Sequence, residues 1–294
     1  MSIERHTMLK AQRTGNTMGA EITGADLSVS MDEATFCQVQ QFFLEHRVIV
    51  FRGQELSPLR FLDFARRFGC PEPHVLDQFH HPEHPDILIL SNVKKGDKPV
   101  GLADGGTYWH SDYSYLEIPA RATLLYSIQV PRRGGNTLFA DQVTAYDELP
   151  ESMKKRIEGL VATHLYGNRD DLNLESRTVA YPPDERQKRE RGITVIRHPL
   201  VRRHPLTGRK ALYAVSGTSL GIEGMQERQA LALLRELAAH STQPKYQFSV
   251  SYGAGDVVAW DNAAVLHSAT LVDPEDPRTL WRITVKEKDR PVPG

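Results

Sequence analysis

The stretch from residue 246 to 287 constrains this chain most. It reads YQFSVSY, DVVAWDN, AVLHSA and TLWRITVKE, short runs rich in β-branched and aromatic residues, punctuated by GAG and by DPEDP. Runs this short with such turn signals are strands. RVIVFRG, DILILSNV, ATLLYSIQV and GNTLFADQ read the same way further upstream, and shorter strands are expected around 194–198 and 211–215. Helical patterns fall between them. MDEATFCQVQQFFLEH places Phe36, Val39, Phe42 and Phe43 at helical spacing. SPLRFLDFARRFG has a Ser57 cap, Pro58 in the first turn and Gly69 at the close, and VTAYDELPESMKKRIEGL is helical on either side of Pro150. GMQERQALALLRELAAH puts Leu231, Leu234 and Leu237 on one face. There is no strict βαβ alternation, no GxGxxG and no phosphate-binding loop, which argues against nucleotide folds of the doubly wound type. The expectation is a mainly β protein with added α, a sandwich or jelly roll flanked by helices, in one domain spanning 1–294.

Composition removes whole classes of function. The net charge of -1 provides no global field for nucleic acid or an anionic membrane, so anion recognition must come from local arginines. The two cysteines, Cys37 and Cys70, form no CxxC, which argues against a disulfide scaffold or structural zinc and suits a reducing cytoplasm. MSIERHTMLKAQRTG has no apolar core of signal-peptide length, and no apolar run approaches the roughly 20 residues of a membrane span. A soluble cytoplasmic protein with a small-molecule partner is expected. The densely charged stretch 168–192 reads as an excursion from the core, a candidate lid or insert.

Within TYWHSDYSY, His110 and Asp112 stand two apart, and on a strand they would share one face. A metal that must also bind small molecules needs few protein ligands on one side, and two histidines with one carboxylate meet that need. The pair alone is a weak signal. His84-Pro85-Asp86 repeats it inside HHPEHPD, which reads as a solvated loop. A hydrogen-bonded strand pair is the plain alternative for His110 and Asp112. Downstream, His267 lies among apolar strand residues, and Arg278 and Arg282 follow it. Two arginines four apart beside an apolar strand are costly unless carboxylates pair with them. Trp260 and Asp261-Asn262 read as the end of a strand.

Taken in order, GAEITGADLS, HRVIVFRGQELSP, FARRFG, WHSDYSY, GGNTLFAD, HPLVRRHPLTGRKALY, GDVVAWDN, LHSAT and RTLWRITV give the chain a resemblance, over almost its whole length, to the taurine dioxygenase/phenoxyacetate dioxygenase (TauD/TfdA) family of iron(II)- and 2-oxoglutarate-dependent oxygenases. The resemblance implies a double-stranded β-helix, the jelly roll of cupin-like proteins, flanked by helices. It implies Fe(II) held by His110, Asp112 and His267, with 2-oxoglutarate and O2 as co-substrates and succinate and CO2 as products. By the same resemblance Thr137 and Arg278 hold the distal carboxylate of 2-oxoglutarate, and Arg282 sits near the substrate or co-substrate anion. His74, in FGCPEPH, falls on a substrate-binding histidine. Family members are often dimers or tetramers, so a homo-oligomer is expected.

Two departures bear on the substrate. Gly106 stands where taurine dioxygenases carry a sulfonate-binding asparagine, and Tyr113 stands where a small aliphatic residue contacts taurine. A small anion other than taurine is the implied substrate. A zinc-dependent hydrolase using the same three ligands and a non-catalytic jelly-roll binding protein are the competing readings.

Overall fold

The computed structural model describes residues 8–103, 105–166, 186, 194–213 and 218–294. The candidate lid at 168–192 lies outside the described residues apart from Arg186, which donates to Asp77 Oδ2 at 2.9 Å. In chain order the strands are β1 (Lys10–Arg13), β2 (Ala20–Thr23), β3 (Val48–Phe51), β4 (Leu88–Ser91), β5 (Lys94–Lys95), β6 (Lys98–Pro99), β7 (Ala120–Gln129), β8 (Thr137–Asp141), β9 (Val161–His164), β10 (Ile196–Pro199), β11 (Val201–Arg203), β12 (Lys210–Leu212), β13 (Ser219–Ile222), β14 (Gln247–Val250), β15 (Val257–Asp261), β16 (Val265–Ala269), β17 (Thr279–Lys286) and β18 (Val292–Pro293).

The larger sheet runs β1-β2-β3-β15-β7-β17-β4, so it draws strands from both ends of the chain. A smaller sheet, β14-β8-β16, is packed against it through Val258, Trp260, Leu125 and Leu280 on one side and Phe139, Val265 and Val250 on the other. Helices α1 (Glu33–His46) and α2 (Pro58–Arg66) cover the outer face of the larger sheet. Helix α3 (Gln142–Asp147) and the long helix Glu227–Ser241 cover the smaller one. The architecture is the mainly β jelly roll with outer helices that the strand pattern predicts. Among the described residues no helix is long and apolar enough to cross a membrane.

Strand parity aims the functional side chains. In β15, Val257 and Ala259 face the helices whereas Val258 and Trp260 face the smaller sheet, as a two-residue period requires. In β16 the inward residue is Val265 and the outward one Leu266, so His267 points between the sheets. In β17, Leu280 is inward and Ile283 outward, which turns Arg282 inward; Thr123 shares the inward parity of Leu125, and Thr137 that of Phe139.

Two expectations need correction. The helix α2 is capped by Ser57, whose Oγ accepts from Arg60, but it ends at Arg66 and not on Gly69. Gly69 serves packing instead: a Cβ there would stand 3.0 Å from the Lys286 carbonyl. His110 and Asp112 do not share a regular strand either. His110 joins His267 through an isolated antiparallel bridge, donating to its carbonyl at 3.0 Å and accepting at 2.9 Å. The chain then turns, with Tyr113 in the left-handed region at φ 54. Asp112 stands at the start of that turn, two residues past the bridge, and its ligand atom still meets that of His110. HHPEHPD is a partly exposed loop with turns, as its prolines predict.

Candidate metal centre

The bridge brings His110 to His267, and Asp112 joins them, all buried, with their ligand atoms within 4.8 Å of one another. His110 Nε2 lies 3.6 Å from Asp112 Oδ1, and His267 Nε2 lies 3.5 Å from Asp112 Oδ2. The tautomer of His110 follows from its surroundings. Its Nδ1 is 2.7 Å from the Tyr108 carbonyl, which can only accept, so Nδ1 carries the proton and the Nε2 lone pair faces inward. For His267, burial and the neighbouring His110 ring hold the imidazole well below the usual histidine range, keeping it neutral. Burial alone would raise the Asp112 carboxyl, but the Arg282 guanidinium holds it well below the usual carboxylate range. Two imidazoles and one carboxylate, with their ligand atoms within 4.8 Å of one another, are a donor set that fits Fe(II).

Asp112 is held from several directions. Arg282 Nη2 donates to Oδ1 at 2.6 Å and Thr123 Oγ1 donates to Oδ2 at 2.6 Å. The Arg282 Nε donates to Thr284 Oγ1 at 3.1 Å. The carboxylate partner that two arginines beside an apolar strand demanded is, for Arg282, the metal-ligand candidate itself.

A narrow cavity runs from His110 and His267 to Thr137 and Arg278, walled by Leu90, Leu125 and Trp260. Thr137 Oγ1 is 2.7 Å from the Tyr252 hydroxyl, whose pKa burial pushes up to about 12. The backbone N–H of buried Arg278 donates to Asn92 Oδ1 at 2.8 Å, which ties the arginine to the end of β4. The sequence-predicted Thr137 and Arg278 therefore line the same space as the histidines.

His74 and Tyr113 lie on the other side of Arg282. The Arg282 guanidinium is 5.9 Å from the centre of the Tyr113 ring, and His74 stands 6.1 Å from the rings of both Tyr113 and Tyr166. Tyr115 completes this aromatic wall, 4.6 Å from Tyr166. The Tyr113 hydroxyl donates to the Glu72 carbonyl at 2.9 Å, and His74 Nδ1 accepts from the Leu76 N–H at 3.2 Å. The polar tip of Tyr113 is thus anchored in the protein.

Sequence reasoning missed Tyr108, Thr123, Tyr252 and Asn262. The inward parity of Thr123 was the available signal for one of them. Asn262, read as part of a strand end, touches the ligand loop: its Oδ1 accepts from the Asp112 N–H at 3.1 Å.

Comparison with known proteins agrees with this geometry. The family model described as taurine catabolism dioxygenase TauD, TfdA family, matches residues 10–284. The chain is 33% identical over 275 residues to an alpha-ketoglutarate-dependent 2,4-dichlorophenoxyacetate dioxygenase of Burkholderia sp. (strain RASC), covering 90% of each chain. It is 29% identical over 276 residues to pentalenolactone F synthase of Streptomyces arenae, covering 92% of each. Among solved structures, AAD-2 in complex with Mn(II) and N-oxalylglycine is similar with a TM-score of 0.80 at 28% identity, over 97% of this chain and 100% of that one. A taurine dioxygenase from Burkholderia xenovorans is similar with a TM-score of 0.80 at 29% identity, over 97% and 91%.

Proposed function

The chain belongs to the TauD/TfdA family of Fe(II)- and 2-oxoglutarate-dependent dioxygenases, and from that premise we propose which of its residues carry the reaction and what it acts on. His110, Asp112 and His267 hold Fe(II). Thr137 and Arg278 grip the distal carboxylate of 2-oxoglutarate, and Arg282 faces the substrate side with His74 and Tyr113. The observation that carries this reading is the convergence of three buried donor atoms within 4.8 Å beside a cavity that His110 and His267 line together with Thr137 and Arg278. Neither a zinc hydrolase nor a binding protein needs Thr137 and Arg278 there.

Fe(II) with 2-oxoglutarate and O2 supplies the oxidation, in which 2-oxoglutarate loses CO2 to become succinate and one oxygen atom enters the substrate. The protein's own residues position and exclude. The Nδ1–H of His110, fixed by the Tyr108 carbonyl, keeps its Nε2 available as a donor. A guanidinium at Arg278 can meet a carboxylate with two parallel hydrogen bonds, and the Thr137 hydroxyl adds a third. Leu90, Leu125 and Trp260 keep the cavity walls apolar.

The substrate is a small organic anion other than taurine. Support comes from the cationic Arg282 beside the His74, Tyr113, Tyr115 and Tyr166 wall, and from Gly106, which offers no side chain to a sulfonate. The 2,4-dichlorophenoxyacetate dioxygenase and the taurine dioxygenase among the similar proteins are named for anionic substrates. A single domain spanning 1–294 is our reading, and a sheet that draws strands from residues 10–23 and 257–286 supports it. The exposed free thiols Cys37 and Cys70 suit a cytoplasmic setting, and the family resemblance supports a dimer or tetramer, measurable by light scattering.

Anaerobic protein with Fe(II) and 2-oxoglutarate should develop the visible charge-transfer band of a chelate. With O2, succinate release should then be stimulated by a member of a panel of sulfonates, sulfate esters and aryloxy acids. Folded protein that shows neither band nor succinate sinks the residue assignment, and stimulation by taurine alone sinks the substrate class.

A further inference from the structure

Asp112, Asn262 and Thr123 form a closed ring of hydrogen bonds. The Asp112 N–H donates to Asn262 Oδ1 at 3.1 Å, Asn262 Nδ2 donates to Thr123 Oγ1 at 3.0 Å, and Thr123 Oγ1 donates to Asp112 Oδ2 at 2.6 Å. The directions are forced. A backbone N–H can only donate, so the amide oxygen of Asn262 must face it and the amide nitrogen must face Thr123. Because Thr123 Oγ1 accepts from that nitrogen, its single proton is left for the carboxylate. All three residues are buried, at 3% exposure for Asp112, 1% for Asn262 and 0% for Thr123, so water does not compete for these groups.

Asn262 also joins the elements that carry the ligands. It lies in the turn between β15 and β16, the strand of His267, and its carbonyl accepts from Ser111 Oγ at 2.9 Å. A second hydroxyl, Thr284 Oγ1, stands 3.4 Å from Thr123 Oγ1 and is the alternative partner to which the Thr123 hydroxyl can turn.

We propose that Asn262 and Thr123 are positioning residues that preset the Asp112 carboxylate for metal binding, Asn262 by holding the backbone of the ligand and aiming the Thr123 proton, Thr123 by fixing Oδ2. This rests on His110, Asp112 and His267 being the metal ligands. Asp112 lies outside the regular strands, just before left-handed Tyr113, and its carbonyl accepts from Ala120 of β7 at 3.4 Å. The ring adds the hold on its side chain, leaving each carboxylate oxygen one hydrogen bond from the protein among the described residues, to Arg282 or Thr123.

The test titrates metal-free, full-length protein with Co(II) under anaerobic conditions, following the visible d–d bands, and records thermal melts in chelator. Thr123→Val keeps the shape and removes the hydroxyl; Thr123→Ser keeps the hydroxyl; Asn262→Ala removes both arms. The expected result is about 10- to 100-fold weaker Co(II) binding for Thr123→Val and Asn262→Ala, with Thr123→Ser close to the parent. A purely structural role would lower the melting temperature in chelator and leave the affinity of the folded protein unchanged, which overturns the proposal. So does a Thr123→Ser variant as weak as Thr123→Val. If Asn262→Ala does not fold, the valine and serine pair still decides. Parent protein that binds no Co(II) refutes the ligand assignment, an outcome distinct from a parent that binds and variants that bind equally well.

Discussion

Arg282 Nη2 lies 2.6 Å from Asp112 Oδ1, an ion pair between residues 170 positions apart, with both side chains largely buried. It is the main positive charge that keeps a buried carboxylate ionised beside His267, whose imidazole burial keeps neutral. Removing it leaves Asp112 uncompensated. Arg282→Met should therefore cost about 3–5 kcal/mol in metal-free protein. Added Mn(II) should stabilise the variant more than the parent, because a divalent cation replaces the lost countercharge. The depressed Asp112 carboxyl contributes stability that is present above its unfolded value of 3.8 and lost as pH falls through the folded value. In Arg282→Met the folded value rises, so acid unfolding should begin at higher pH. Urea melts in chelator and in Mn(II), repeated down the pH scale, check each part.

Gly106 has φ +76, and a Cβ there would stand 2.8 Å from His110 Cε1. Any side chain pushes on the imidazole. Gly106→Ala should destabilise by about 1–3 kcal/mol and weaken Mn(II) binding by displacing His110. Gly106→Asn should not create taurine turnover, since the asparagine reaches the site only by moving a ligand. Taurine-dependent succinate release by that variant would refute this.

Arg278 and Thr137 are assigned to 2-oxoglutarate. Arg278→Lys keeps the charge and loses the paired geometry, so KM for 2-oxoglutarate should rise by about 10- to 100-fold, with Thr137→Val giving a smaller rise. Co(II) affinity should not change, because the metal donors assigned are His110, Asp112 and His267. Initial rates against 2-oxoglutarate concentration, beside a Co(II) titration, separate the two.

His164 and His198 are buried with ring centres 5.5 Å apart, away from the metal centre. Burial pushes His164 down to about 3 and His198 down to about 4, from an ordinary value of 6.5. Below 6.5 the unfolded chain binds protons that the folded chain refuses, so stability falls as pH drops. The loss continues to about 4 for His198 and about 3 for His164, while above 6.5 neither contributes. Each histidine accounts for about 1.4 kcal/mol per pH unit in its window. His164→Phe should flatten this acid limb, and denaturant melts at pH 7 and pH 5 would show it; an unchanged slope contradicts the prediction.

Much of the site was legible because its residues lie in recognisable strand runs whose order carries the family resemblance. That resemblance gave His267, Arg278, Arg282 and Thr137 their expected roles, and all four line the cavity. The expectation that His110 and Asp112 share one face of a regular strand was right about their meeting and wrong about the strand: an isolated bridge holds the first, and the second starts a turn that continues through left-handed Tyr113.

The sequence by itself determined the strand-rich class and, through the family resemblance its motifs carry, the set of residues able to hold a metal and a carboxylate. Tertiary structure alone decided that His110 pairs with His267, that Arg282 answers Asp112, and that Asn262 and Thr123 close a ring upon that carboxylate. The reason is physical. Alternation depends on the backbone geometry of adjacent residues, whereas these contacts join segments up to 170 residues apart and exist only once sheet register and loop path have been set.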